Sequence, residues 1–143
     1  MDYLVENYPL TGVEPPPGIN IWFKFTGRMT SVNGVRFELG RYTCPHIIEK
    51  GRGWVRAGNK VKEMGQGDMF CIMQDSDIEY YDDPDDPWTF SWAHIYGEDA
   101  DRMMRDWGFS PEQPWLRPER PEKVLECFYH IREMAKDTGS IRP

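Results

Sequence analysis

The chain has 143 residues, 39% of them hydrophobic and 14% aromatic, and a net charge of −7. That is the mass of one compact domain with a single core. The negative charge repels phosphate backbones, which excludes a direct nucleic-acid contact by this chain. No apolar run approaches the roughly 20 residues that span a bilayer. The N-terminus lacks the basic-then-apolar pattern of a signal peptide, so a cytoplasmic protein is expected. Cys44, Cys71 and Cys127 are scattered and odd in number, as reduced thiols would be.

In chain order, residues 1–18 hold few periodic apolar positions and contain Pro15-Pro16-Pro17-Gly18. They are expected to form an extended N-terminal arm. Residues 19–26 alternate as a half-buried strand, with Ile21, Phe23 and Phe25 on one side and Trp22, Lys24 and Thr26 on the other. Val35 to Leu39 is a second strand and His46 to Lys50 a third. Trp54-Val55-Arg56 and Lys60-Val61-Lys62 flank Gly58 and Asn59 as a hairpin. Met69 to Met73 is a buried strand, followed by Ile78 to Tyr81. The acidic stretch from Asp75 to Asp86 is expected to be a solvated loop, since it lacks the regular ligand spacing of a calcium loop.

Residues 88–97 carry the most information. As a strand, they put Trp88, Phe90, Trp92, His94 and Tyr96 on one face and the small Thr89, Ser91, Ala93 and Ile95 on the other. The aromatic row can fill a core. It can also line a cavity, where rings stack on a ligand and indole, imidazole and phenol groups bind its hydroxyls.

After this strand the periodicity becomes helical. Glu98 to Trp107 places Ala100, Met103, Met104 and Trp107 on one side, with Gly108 as the stop. A Pro-rich connector leads to a second helix over Glu122 to Lys136, ended by Gly139, with Val124, Phe128, Ile131 and Ala135 in a stripe. Seven or eight short strands followed by two helices predict a sandwich or barrel with C-terminal helices.

The order of these segments resembles a known family. His46-Ile47-Ile48-Glu49-Lys50-Gly51-Arg52-Gly53 precedes the hairpin. Gly67-Asp68-Met69-Phe70, Tyr80, residues 87–97 and Gly108-Phe109-Ser110-Pro111 follow. Over residues 20–135 this is similar to the N-terminal ligand-binding domain of AraC-type transcription regulators. The resemblance implies a cupin-like (jelly-roll) β-barrel over residues 19–97, with a small sugar-like effector bound inside. It also implies a helical dimerisation segment over 98–143 and an arm over 1–18 that can fold over the pocket. Arg36 matches the family's sugar-contacting arginine, Tyr80 its pocket tyrosine and Trp92 its pocket tryptophan. Phe90 falls where the arabinose-binding member has a histidine, which replaces a hydrogen bond with a wall. Ile78 stands where many relatives carry a histidine.

The expected ligand-binding set is therefore Arg36, Tyr80, Phe90 and Trp92 with Trp88, His94 and His46. The expected dimer interface is Leu125, Phe128 and Ile131. The family's two helix-turn-helix units are expected to lie beyond this chain and to make its DNA contact, giving a homodimeric regulator without cofactor, metal, catalysis or membrane contact. The alternatives are a stand-alone cupin-fold interaction domain with a filled interior, or a weakly metal-binding cupin enzyme. The second needs several converging histidines and carboxylates. The barrel sequence offers only His46 and His94, with Glu49, since His130 falls on the second helix.

Overall fold

The computed structural model describes residues 3–10, 17–31, 36–39 and 42–140, with the side chains of 3–5, 36–39 and 137–140 outside that description. In chain order the strands are β1 (Tyr3–Pro9), β2 (Trp22–Ser31), β3 (Arg36–Leu39), β4 (Cys44–Lys50), β5 (Gly53–Ala57), β6 (Lys60–Met64), β7 (Met69–Ile72), β8 (Ile78–Asp82) and β9 (Thr89–Tyr96). Helix α1 (Ala100–Trp107), strand β10 (Trp115–Leu116) and helix α2 (Pro121–Ser140) complete the chain. Two antiparallel sheets face each other. One has the order β1-β2-β9-β4-β7-β10 and the other β3-β8-β5-β6. Jumps between strands distant in sequence make the chain cross between sheets, as in a jelly roll.

The larger sheet is buried on both faces. Its inner face contributes Met29, Cys44, Ile48, Phe70, Ile72 and Phe90 to one core. Its outer face contributes Ile47, Met69, Cys71, Ala93 and Ile95 to a second, joined by Ile21 just before β2 and closed by Ala100, Met104, Phe109 and Phe128. This explains the unbroken apolar run Met69–Ile72, which is buried at every position. It also explains the small side of β9. Thr89, Ser91, Ala93 and Ile95 are all 2% exposed or less because helix and neighbouring strand lie over them, not solvent. Each large side chain shut in this second core, such as Phe109 or Met104, is worth about 1.5–3 kcal/mol.

Local chemistry sets the helix ends. Gly108 takes a positive φ of 113°, and its N–H reaches the Arg105 and Met104 carbonyls to cap α1. Pro121 opens α2, where its missing N–H has no partner to lose. The helix runs past Gly139 to Ser140, longer than the periodicity predicts.

Four expectations change. Alternation predicts that Phe23 and Phe25 share a face, but the pairing of β2 with β9 shifts between them. Phe23 opposes Ile95 and packs on the outer core. Phe25 opposes His94 and tilts on its ring at 6.2 Å. Lys24 is the extra residue of this β-bulge. Second, the arm is partly sheet. Tyr3–Pro9 pairs with β2 from Tyr3↔Ser31 to Pro9↔Phe25, while Pro15 and Pro16 lie outside the described residues. Third, the segment after residue 98 is not purely helical, since Trp115 and Leu116 pair with Phe70 and Met69 of β7. Fourth, the acidic stretch is pinned rather than freely solvated. Asp83 forms an ion pair with Arg52 at 2.5 Å and accepts the Asp85 N–H at 2.9 Å. The Arg52 hydrogen bond holds its carboxyl below the usual carboxylate range. Asp82 accepts the Trp88 N–H at 3.1 Å, which fixes where β9 begins.

Candidate functional site

The aromatic row answers the choice the sequence leaves open, and it answers by position. Trp88 is 1% exposed and Phe90 2%. Trp92 and His94 are half-buried, and Tyr96 is 50% exposed. The barrel is packed at the Trp88 end and opens toward Tyr96. Trp88 stacks on Phe70 at 5.9 Å and meets Phe90 edge-on at 5.7 Å, an arrangement of core rings. Two glycines make the row fit. A Cβ on Gly53 would collide with the Trp88 ring, and one on Gly27 would collide with the Trp92 ring and the Glu6 carbonyl. Both glycines lie in strands, Gly27 in β2 and Gly53 in β5, where a ring lies against bare backbone.

His46 lies in the middle of this packing at 3% exposure. Its ring stacks on Phe70 at 4.4 Å and lies 5.1 Å from Phe90, 5.5 Å from Tyr80 and 6.4 Å from Trp92. Its Nδ1–H donates to the Cys44 carbonyl at 2.9 Å. Burial pulls its pKa down to about 3, against that hydrogen bond, so the imidazole is neutral. Tyr80 is 4% exposed, and burial pushes its phenol well above the ordinary value, so it remains a donor. Four of the seven expected site residues, His46, Tyr80, Phe90 and Trp92, thus form one cluster. Trp88 lies beneath it as core.

The open end holds a cleft of about 590 Å³, lined among others by Lys24, Tyr42, Gln74, His94, Tyr96 and Asp101. His94 and Tyr42 stand ring to ring at 4.1 Å. Burial, helped by the charge of Lys24, lowers the pKa of His94, while burial raises that of Tyr42 to about 12. Both are neutral near pH 7. Lys24, Tyr42 and Gln74 are absent from the sequence expectation. Lys24 lies at the bulge of β2, and no spacing signals Tyr42 or Gln74.

Arg36 is a residue of β3. It pairs with Tyr81, whereas Tyr80 pairs with Phe37. Its side chain lies outside the described residues. Phe128 requires a correction. It is 6% exposed and built into the outer core, so it has little surface to offer a second chain. Leu125 is half-buried against that core. Ile131 is half-buried and, with Val124 and Cys127, walls an apolar crevice of about 420 Å³ between the helices and the sheet. Among the described residues no three His, Cys, Asp or Glu side chains converge in a way that could hold a metal ion. No described helix is long and apolar enough to cross a membrane.

Two facing sheets with an aromatic interior open at one end, and helices laid on the outside, define a cupin-like ligand-binding barrel. The family model described as the AraC-like ligand binding domain matches residues 43–140, and the chain belongs to that family. No curated protein sequence matches it. Among solved structures it is similar to YhaK from Escherichia coli, at 11% identity and a TM-score of 0.51, over 64% of this chain and 44% of that one. A putative ethanolamine utilization protein Q from Salmonella typhimurium is 22% identical, with a TM-score of 0.41, over 54% and 58% of the two chains. The Cupin 2 domain of an XRE family transcriptional regulator from Enterobacter cloacae is 10% identical, with a TM-score of 0.46, over 66% and 96%. The chain thus spans about half of the first two proteins.

Proposed function

We propose that the chain is the effector-sensing part of an AraC-type transcription regulator. A small sugar-like molecule enters at the Tyr96 end of the barrel, stacks on Trp92 and hydrogen-bonds to Tyr80 and His94. The reading rests chiefly on the change from packed to open along the aromatic row. Arg36 belongs to the same proposal on the strength of the resemblance. The chain binds and performs no chemistry. Bound effector acts on DNA through a further domain of the same cytoplasmic protein, by favouring one of two states; equal affinity for both would change nothing.

Dimerisation is part of the reading and uses α2. With Phe128 committed to the core, the contact falls on Leu125 and Ile131 beside the apolar crevice. Ile131→Glu is expected to yield a folded monomer in sedimentation, and an unchanged dimer removes α2 from the interface.

A thermal-shift screen against pentoses, hexoses and their acids tests the sensor itself, because binding to the folded state alone raises the melting temperature. A hit whose shift disappears in Trp92→Ala is the expected result. No hit across the panel, or a hit indifferent to Trp92→Ala and His94→Ala alike, overturns it.

A further inference from the structure

We infer that the effector is an anion, a polyol bearing a carboxylate, and that Lys24 at the mouth of the barrel binds that carboxylate. The inference rests on the sensor reading above and narrows its ligand class. In a regular strand Lys24 would oppose a residue of β9, but the register passes from Phe23↔Ile95 directly to Phe25↔His94 and leaves Lys24 over. Such an insertion bends the strand and re-aims the extra side chain. Lys24 lies in the wall of the 590 Å³ cleft that His94 also lines.

Among the described residues Lys24 forms no ion pair, and its Nζ lies 5.7 Å from the centroid of the Phe25 ring. The one acid that lines the same cleft, Asp101, already accepts the Arg105 Nε–H at 2.6 Å. The other polar lining groups named above are the Tyr42 hydroxyl, the Gln74 amide and the His94 imidazole, all neutral near pH 7. Lys24 is an exposed lysine on the wall of a concave site, with no ion-pair partner among the described residues, and it complements a negative ligand. The His94 and Tyr42 rings, 4.1 Å apart, supply a face for stacking, and the neutral donors and acceptors suit hydroxyl groups. A carboxylate beside the rings would gain a charge-assisted hydrogen bond that a neutral sugar does not make.

The test compares each acid with its neutral counterpart: gluconate with glucose, galacturonate with galactose, arabonate with arabinose. Affinities are measured by calorimetry on the wild type, Lys24→Gln and Lys24→Arg. At least one acid is expected to bind about tenfold tighter than its neutral partner, with the preference shrinking as salt is added. Lys24→Gln is expected to erase the preference while sparing neutral-sugar affinity, and Lys24→Arg to keep most of it. Equal binding of acid and sugar by the wild type, or a preference that survives Lys24→Gln, overturns the inference and leaves the sensor reading standing. Failure of every acid and every sugar to bind overturns both.

Discussion

His46 offers a quantitative test of how the barrel interior is packed. Its imidazole is shut among Phe70, Tyr80 and Phe90, and its pKa falls from the ordinary 6.5 to about 3. The unfolded chain protonates this group below about pH 6.5 and the folded chain does not. Between those two values the unfolded state binds more protons, so stability rises with pH and is lost as pH falls. From pH 7 to pH 5 the loss from this one residue is about 2 kcal/mol. It grows by about 1.4 kcal/mol per further pH unit and levels off near the folded pKa. The test is urea unfolding of the wild type and His46→Phe at both pH values. The variant keeps a stacked ring but gives up the hydrogen bond to the Cys44 carbonyl, worth about 1 kcal/mol at pH 7. It is expected to start less stable and to lose about 2 kcal/mol less on acidification. His94, shifted in the same direction, is present in both proteins and cancels in the comparison. If wild type and variant lose the same stability between pH 7 and pH 5, His46 is not held neutral in a closed core.

Gly27→Ala forces a methyl group against the Trp92 ring and the Glu6 carbonyl. It is expected to lower stability by about 1–3 kcal/mol and to change tryptophan emission, where unchanged emission would place the indole elsewhere. Phe128→Ala empties part of the outer core and should reduce unfolding free energy by about 3–5 kcal/mol in urea titration; a loss under 1 kcal/mol would return Phe128 to the surface. Arg132 donates to the Ser91 hydroxyl at 2.6 Å, and Ser91 donates to Glu49 at 2.8 Å on the outer side of β9. Arg132→Ala should loosen α2, seen as faster amide exchange in that helix with the barrel strands unchanged. Removal of residues 1–10 deletes β1 and exposes the β2 edge. It is expected to lower the melting temperature even without ligand, an effect that a free arm would not have.

Much of this architecture was written in local chemistry. Strict alternation from Trp88 to Tyr96 put the right residues on one face, since a strand's side chains have a period of two wherever pairing is regular. Gly108 stopped α1 because only a residue free to take positive φ closes that turn readily. The hairpin at Gly58 and Asn59 followed for a similar local reason. Three matters needed the folded chain. The bulge at Lys24 arises from how β2 pairs with β9, a long-range register that β2's own residues do not encode. The use of Phe128 depended on which of two apolar surfaces the helix stripe would meet, its own sheet or another copy. Amphipathic periodicity says that a face is covered and not by what. Whether the aromatic row was core or cavity also had no local answer, because one set of rings is packed at Trp88 and open at Tyr96. Burial is a property of what lies across the barrel, and only the closing of two sheets brings those neighbours into place.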